Sequence, residues 1–420
     1  MEELQRRGIE LTVGHHGASR LWLPPYGNKY FPEKYALTHP EYYKLGKDGE
    51  RIVPVSEEDP FGQLLYCNYN EECTAKIAEN IIKWIDLNPA VDTVAMWPND
   101  GVHDQCACEK CASHTKAENY TRFLIAILNK VNEARPHVKL DMLTYVDLWK
   151  YTPGTALPKN LIIDQAMWAD EQRKCGAPDG SAFIGTEFER NILEWKAAGA
   201  KVVTYDYYMG VFGNRQRIVP MADEIQSIFR RFRELDIMGA GTQIECFNVN
   251  NHIMNLYTFG RTGYDTSLSF EDNLRALSAI YGEGAPMVAD AIREMENTLQ
   301  GEAVVALGGK YMIEHMDKAK VYDLFEQALA VTSGVVQRNN IRLMRMAFRY
   351  SEIECGDPSH IGRTQFCRFQ DYEDPTGELA FLATNYDSFL HNDPGYGIAF
   401  PLRNTDTKDF VPDNWYDYEE

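Results

Sequence analysis

A short stretch of the chain combines an acid, an amide and an aromatic ring where an apolar segment ends. The segment VDTVAMWPND (91–100) finishes with Trp97, Asn99 and Asp100, and a glycine follows. An indole ring beside a carboxyl group raises its pKa, because apolar surroundings disfavour the charged form, and the acid could then donate a proton. Asn99 could bond a hydroxyl or acetamide group. Asp100 is therefore a candidate general acid; the alternative is that it caps the loop or the following helix.

Two further acids end later apolar segments. They are Asp206 in TYDYY (204–208) and Glu245 in TQIECFN (242–248). Either could be the second carboxylate of a reaction that uses a pair, as a nucleophile or as a group that orients the substrate. The sequence leaves these roles open, because the distance between two carboxyl groups depends on the fold. The alternative for both is a buried acid paired with an Arg or a Tyr.

Polar and aromatic residues end the apolar segments throughout the first two-thirds of the chain. Flat rings can stack on the C–H face of a sugar and form hydrogen bonds at their edges, although aromatic residues also build ordinary interiors. Only one of two consecutive histidines can face a site, since successive strand residues point to opposite sides. The candidate substrate-binding residues are His15, His16, Asn99, Tyr145, Asp147, Trp168, Tyr205, Tyr207 and Asn248.

Three cysteines follow the candidate acid closely. Cys106, Cys108 and Cys111 have the spacing Cys-x-Cys-x-x-Cys, which lets three thiolates converge on one tetrahedral ion. Cys67 or His103 could supply the fourth ligand. We expect a structural zinc ion that holds this loop, and no cofactor for catalysis. A disulfide with one thiol left over, and free buried cysteines, remain open alternatives.

The elements that would position these residues alternate between strands and helices. Short apolar segments separated by amphipathic stretches predict a parallel sheet covered by helices. In a parallel barrel all strands end on one face, which carries the site. The predicted strands lie within 8–16, 91–100, 138–147, 160–168, 200–208 and 237–245, and the predicted helices within 71–88, 115–134, 186–199 and 219–236.

A closed barrel of this kind needs eight strands, and the sequence offers six. We expect an α/β fold, a (β/α)8 TIM-type barrel that lacks its first two strands in this chain; the alternative is an overlooked strand in GQLLYCN (62–68). From Ser269, a predicted N-cap, the pattern becomes helical. The predicted division is a barrel domain over 1–268, an α-helical domain over 269–356 and an irregular segment over 357–420.

The composition limits the classes of partner. The chain has 420 residues and a formal net charge of -20, which disfavours nucleic acid and anionic membrane surfaces, because both need a basic patch. Sugars remain compatible with it. No apolar run is long enough for a membrane span, and the charged N-terminus lacks the apolar core of a signal peptide. The sequence also lacks HExxH, P-loop, GxGxxG and nucleophile-elbow motifs.

Five segments occur in an order typical of one bacterial family. They are HPEYYKLGKDGERI (39–52), LLYCN (64–68), WPNDG (97–101), CACEKCA (106–112) and YDYYMG (205–210). Over about residues 8 to 285 the chain resembles the domain of unknown function 4838 family. That family is similar to the TIM-barrel endo-β-N-acetylglucosaminidases of glycoside hydrolase family 163 and, more distantly, to the barrel α-glucuronidases.

The resemblance implies hydrolysis of a β-linked N-acetylglucosamine bond in a complex glycan, with acid/base carboxylates at the barrel mouth. The family usually has an N-terminal accessory domain and early strands, which we expect this sequence to lack, and the family's more usual Trp-Asp-Tyr is Tyr205-Asp206-Tyr207 here. The full-length protein would be periplasmic or secreted, whereas the compartment of this chain stays open. The alternatives are a glycosidase acting on a uronic-acid-containing polysaccharide and a non-catalytic carbohydrate-binding protein on a degenerate barrel.

Overall fold

The computed structural model describes residues 2–16, 18–55, 66–99, 105–151, 154, 156–167, 174–209, 218–244, 252–304 and 308–356. Within these ranges the fold is mixed α/β, with parallel strands and helices in the first part and mainly helices after residue 252. None of the helices in these ranges has the length and apolar character to cross a membrane.

Six parallel strands form one curled sheet that makes half of a barrel. Its order is β1-β2-β3-β4-β6-β7, so each strand lies beside the next sheet strand along the chain. All six predicted strands are confirmed. Their bounds are β1 Thr12–His16, β2 Thr93–Trp97, β3 Lys139–Thr144, β4 Leu161–Ala166, β6 Lys201–Met209 and β7 Gly239–Ile244.

Two smaller features lie outside this sheet. Strands β5 (Lys174–Cys175) and β8 (Ala303–Val304) pair antiparallel. The alternative strand at 62–68 lies mostly outside the described residues; its Tyr66 forms an isolated antiparallel bridge with Tyr43. The prediction of six parallel strands is thus confirmed, and the prediction that they belong to an eight-stranded barrel that lacks its first two strands in this chain stays a prediction.

Helices follow the predicted positions closely. Of the four helices predicted in the first part of the chain, all are present as α4, α6, α7 and α8. In chain order the α-helices are α1 Glu2–Arg6, α2 Ala18–Trp22, α3 Tyr35–Thr38, α4 Glu71–Leu87, α5 Glu109–Ala112, α6 Lys116–Ala134, α7 Glu187–Ala197, α8 Ala222–Glu234, α9 Ile253–Tyr264, α10 Phe270–Ser278, α11 Ala285–Leu299, α12 Gly308–His315, α13 Lys318–Val331 and α14 Val335–Gly356.

Side-chain caps explain where several helices begin. The Thr115 hydroxyl accepts a hydrogen bond from the Glu118 backbone N–H, and the Glu118 carboxylate accepts one from the Thr115 N–H. The same reciprocal arrangement joins Ser269 and Asp272 at the start of α10, so Ser269 is an N-cap as predicted. These bonds satisfy backbone donors that the first turn of a helix leaves without a partner.

A close approach between β1 and β2 depends on a glycine. Gly14 has φ of +135°, a region that favours glycine, and it pairs in register with Ala95. A Cβ at this position would lie 2.0 Å from the carbonyl oxygen of Ala95. Glycine therefore lets β1 reach β2 two residues before His16 ends the strand.

The described residues divide into two compact units. The first draws on 1–170, 185–206 and 235–241, and the second on 171–184, 207–234 and 242–420. The first unit contains most of the sheet with α1 to α7, and the second contains α8 to α14. The predicted boundary between 268 and 269 stays a prediction, and the predicted irregular segment 357–420 lies outside the described residues.

Candidate functional site

Four aromatic side chains meet at the carboxyl ends of neighbouring strands. His16 ends β1, Trp97 ends β2, Tyr145 follows β3 and Tyr205 lies in β6. Ring centroids are 5.4 Å apart for His16 and Trp97, 5.3 Å for His16 and Tyr145, and 5.4 Å for Trp97 and Tyr205. We call these four residues the aromatic group. All except Trp97 are predicted substrate-binding residues, and parallel pairing brings them to one edge of the sheet.

A hydrogen bond determines which ring nitrogen of His16 carries a proton. Its Nδ1 lies 2.8 Å from the carbonyl oxygen of Pro98. A carbonyl oxygen only accepts, so Nδ1–H donates, and Nε2 of the neutral ring is an acceptor. His16 can therefore accept a hydrogen bond from a substrate hydroxyl while its ring packs against Trp97. The side chain of His15 lies outside the described residues.

The two faces of the sheet differ in what they contact. The Asn191 amide on α7 donates to the side-chain oxygen of Gln165 in β4 over 2.5 Å. We call the face that carries Gln165 the outer face and the opposite one the inner face. Ala166, the next residue, clusters with Tyr145 and Tyr205. The aromatic group therefore lies on the inner face, away from α7.

Two buried carboxyl groups lie on this inner face. Asp141 in β3 is 8% exposed and Asp164 in β4 is 6% exposed. Residues two positions apart in a strand point to the same face. Asp141 is two residues from Leu143 and Asp164 is two residues from Ala166, and Leu143 and Ala166 both cluster with Tyr145, so both acids lie on the inner face. The indole Nε1 of Trp97 donates to Oδ1 of Asp141 over 3.3 Å. This bond orients one ring of the aromatic group.

Burial raises the pKa of both acids. Loss of solvation raises the pKa of Asp141 to about 7, and the hydrogen bond from Trp97 opposes this shift. Loss of solvation also raises the pKa of Asp164 well above its ordinary value, and the charge on Asp141 raises it further. The pair therefore retains a proton near neutral pH. Perturbed acids beside aromatic side chains are typical of functional sites, although structural pairs show such shifts too.

Neither acid is among the predicted site residues. Both stand inside apolar segments, KLDML for Asp141 and LIIDQ for Asp164, whereas the predicted site residues come from the ends of such segments. A charged residue in the middle of a buried strand is the signal that could have identified them, because an acid in that position loses its hydration.

The turn after β3 contains a strained residue and an ion pair. Val146 follows Tyr145 with φ of +49°, a conformation that is costly for a β-branched side chain. The next residue, Asp147, is a predicted substrate-binding residue, and its carboxylate accepts a hydrogen bond from Lys116 Nζ over 2.7 Å. Lys116 opens α6, so this ion pair ties the turn to a helix of the same unit.

Asp206 and Tyr207 occupy β6 near its end. Asp206 is fully buried, and Tyr207 is buried as well. Because strand residues alternate, Asp206 lies on the face opposite to Tyr205 and therefore on the outer face. Its role as a second carboxylate stays a prediction. Asn99 is half-buried two residues beyond β2, close in sequence to Trp97.

The remaining predicted site residues lie outside the described residues. They are Asp100, Trp168, Glu245 and Asn248, together with the possible zinc ligand His103. Their roles therefore stay predictions.

A group of four cysteine side chains that could bind a metal ion lies elsewhere in the first unit. The sulfur atoms of Cys67, Cys106, Cys108 and Cys111 all lie within 4.8 Å of one another. Three of these side chains are buried, and Cys108 is half-buried. All four are free thiols. We call these four residues the cysteine cluster. The structure thus brings Cys67, one of the two predicted fourth ligands, to the three cysteines that follow β2.

Local structure explains how the cysteines converge. Cys108 precedes the first residue of α5 and Cys111 lies in its first turn, so both sulfurs lie on one side of that turn. The Ala107 N–H donates to the Leu45 carbonyl oxygen over 2.8 Å. In return, the Leu45 N–H donates to the Cys106 sulfur over 3.2 Å. The backbone of Leu45 therefore holds both Cys106 and Ala107 in place.

The thiols act on one another electrostatically. Hydrogen bonds from the Cys111 and Cys67 thiols lower the pKa of Cys106, because they stabilise its thiolate. The same bonds raise the pKa of Cys111 and Cys67, which hold the shared protons. The cluster therefore favours a negatively charged sulfur at its centre, as a group of metal ligands does.

Comparison with known proteins identifies the family. The profile of DUF4838, described as a domain of unknown function, matches residues 19–291. The chain belongs to the DUF4838 family. This confirms the resemblance inferred from the sequence, and the match includes the cysteine cluster, Trp97, Tyr145 and Tyr205. No curated protein matches the chain.

A loose likeness to this DUF4838 chain is seen in a solved glycosidase structure. It is the family 89 glycoside hydrolase CpGH89 from Clostridium perfringens, in complex with its substrate GlcNAc-α-1,4-galactose. The two share 11% sequence identity and a TM-score of 0.40. The likeness covers 78% of this chain and 36% of the clostridial chain, so this chain spans only about a third of that protein's length.

Proposed function

We propose that this chain is a glycoside hydrolase that cleaves a β-linked N-acetylglucosamine bond in a complex glycan. The observation that carries the proposal is the aromatic group on the inner face of the half-barrel, with Asp141 hydrogen-bonded to Trp97. Ring faces suit the apolar side of a pyranose, and a fixed indole keeps its orientation when a sugar binds. The parallel-strand ends are where barrel enzymes hold their substrates.

The residues divide into sugar-binding and acid/base roles. Trp97, Tyr145 and Tyr205 would contact the sugar ring, and Nε2 of His16 would accept a hydroxyl hydrogen bond. Asp141 is a positioning residue in this proposal, because it acts on the sugar through Trp97.

Asp100 is the proposed general acid. It stands three residues after Trp97 in the sequence, and Trp97 is the last residue of β2. Glycosidases protonate the leaving oxygen with one carboxyl group and use a second as base, nucleophile or orienting group. Glu245 is preferred as the second group over Asp206, since Asp206 lies on the outer face of β6. In the acetamide-assisted form of the reaction, the substrate's own carbonyl oxygen attacks, and the second carboxylate orients it.

A substrate panel tests the proposal. Aryl glycosides of N-acetylglucosamine, of glucuronic acid and of neutral hexoses, together with purified N-glycans, are incubated with the chain. We expect release only from β-linked N-acetylglucosamine. Preferred cleavage of the glucuronides would replace this substrate class with uronic acids. Binding of N-glycans without cleavage of any substrate would favour a non-catalytic carbohydrate-binding protein.

Substitution of the acid then tests its role. Asp100→Asn should lower the rate on natural glycan at least about a hundredfold, the usual range for loss of a general acid. The control is Asp86→Asn, at an acid of α4 that pairs with Arg135 outside the aromatic group. Cleavage of natural glycan by Asp100→Asn at the parent rate would show that another residue donates the proton.

A further inference from the structure

The cysteine cluster has the dimensions of a tetrahedral metal site. A zinc ion with four thiolates at about 2.3 Å separates their sulfur atoms by about 3.8 Å. The Cys67 and Cys108 sulfurs are 3.7 Å apart, and the four sulfurs all lie within 4.8 Å of one another. A disulfide would need about 2.05 Å, so the geometry is that of separate ligands around a centre.

The four ligands come from two distant parts of the chain. Cys67 precedes α4, and the Cys67 carbonyl oxygen accepts a hydrogen bond from the Asn70 N–H in the turn before that helix. Cys108 is 41 positions further along the sequence. Holding two such segments together costs conformational entropy, which a bound ion can offset because its bonds form only in the folded chain.

The surroundings fit a closed structural site. Leu45 and Tyr69 pack against the cysteine cluster, and the buried state of three of its thiols leaves little access for a substrate. Four sulfur ligands fill a tetrahedral zinc ion, whereas a catalytic zinc keeps one position for water. The Leu45 N–H bond to Cys106 also suits a thiolate, because it places a donor against the charged sulfur.

We propose that Cys67, Cys106, Cys108 and Cys111 bind one structural zinc ion that joins the segment before α4 to the segment between β2 and α5. On binding, each thiol loses its proton to solvent, and four sulfur–zinc bonds form without any change in oxidation state. The ion fixes the segment from Cys106 to α5. This role is independent of the glycosidase proposal, because it concerns the fold of the loop.

Metal analysis of the purified chain tests the proposal directly. The protein is purified under reducing conditions without an affinity metal, and elemental analysis should find about one zinc per chain. Replacement by cobalt should produce the intense visible bands of tetrahedral thiolate-bound cobalt. Chelation should lower the melting temperature, since the ion binds only the folded state.

Two cysteine variants distinguish a metal site from a group of cysteines that are merely buried. Cys108→Ser should lose zinc and lose the cobalt bands, and because Cys108 is half-buried the substitution should leave the chain folded. The matched control is Cys73→Ala, at a buried free cysteine of α4 outside the cluster. It should keep one zinc per chain. Circular dichroism checks that each variant is folded.

Three results would overturn the proposal. The first is a folded, reduced parent chain that binds neither zinc nor cobalt. The second is an intact mass two protons lower after purification without reductant, together with absence of metal, which would indicate a disulfide. The third is parent zinc content and parent zinc affinity in Cys108→Ser. Stoichiometric iron in place of zinc would contradict the choice of metal.

Discussion

At the scale of single residues, the two acids on the inner face differ in strand position from the acids predicted from the sequence. Asp141 and Asp164 stand in the middle of strands, and their position on the inner face depends on the pairing of β3 with β4. Asp206 is a predicted site residue because it lies near a strand end; alternation with Tyr205 puts it on the outer face of β6, and its role as a second carboxylate stays a prediction. Sequence therefore predicts which residues approach the site better than which of them face it.

The raised pKa of Asp141 predicts how the free energy of unfolding depends on pH. Its folded pKa of about 7 exceeds its ordinary value of 3.8, so the unfolded chain ionises first and the free energy of unfolding falls as pH rises from about 4 to about 7. Asp141→Asn should remove the share of this fall that belongs to Asp141, about 4 kcal/mol between pH 4 and pH 8, whereas the share of Asp164 should remain. Urea unfolding at several pH values measures it. Exposed Asp86→Asn is the control, and a parent-like slope in Asp141→Asn would contradict the raised pKa.

At the scale of elements, local signals predicted the structure well. Strands β1 to β4, β6 and β7 follow the apolar segments, and α6 and α10 begin at the hydroxyl residues that cap them. These signals act within a few residues, so the sequence contains them directly. The cysteine cluster could be predicted only in part from the sequence. The spacing predicts three ligands, but only the fold brings Cys67 to them, because Cys67 lies far away in the sequence.

Gly14 gives a prediction about the pairing of β1 with β2. Gly14→Ala should destabilise the chain by at least about 3 kcal/mol, because the added Cβ meets the Ala95 carbonyl oxygen and φ is unfavourable for alanine. The control is Gly239→Ala in β7, where the nearest atom to an added Cβ is 3.8 Å away. Thermal melts of both variants measure the effect. Equal melting temperatures would contradict the close approach.

The N-cap of α6 gives a smaller effect. Thr115→Ala should cost about 1 kcal/mol, because the Glu118 N–H loses its acceptor. Thr115→Ser keeps the hydroxyl and should stay within a few tenths of a kcal/mol of the parent. Chemical denaturation of the three proteins compares them. A loss in Thr115→Ser as large as that in Thr115→Ala would show that the methyl group, and not the cap, matters at this position.

At the scale of the whole molecule, the parallel order of six strands decides where chemistry can occur. It brings His16, Trp97, Tyr145 and Tyr205 together from segments spread over nearly 190 residues. Strand–helix alternation predicted this arrangement, since parallel strands with helical connections must end at one edge. The division into two units was harder to predict, because two of its boundaries, 206/207 and 241/242, fall within β6 and β7 and not at a change of pattern.

The most direct measurement of the central claim is mass spectrometry of a defined N-glycan after incubation with the purified chain. We expect two fragments, one of which ends in a new reducing N-acetylglucosamine. We also expect the reaction of Trp97→Ala to be at least about tenfold slower, because the sugar loses its stacking surface. Glycan that remains intact after prolonged incubation, while the chain is folded and binds it, would contradict hydrolysis.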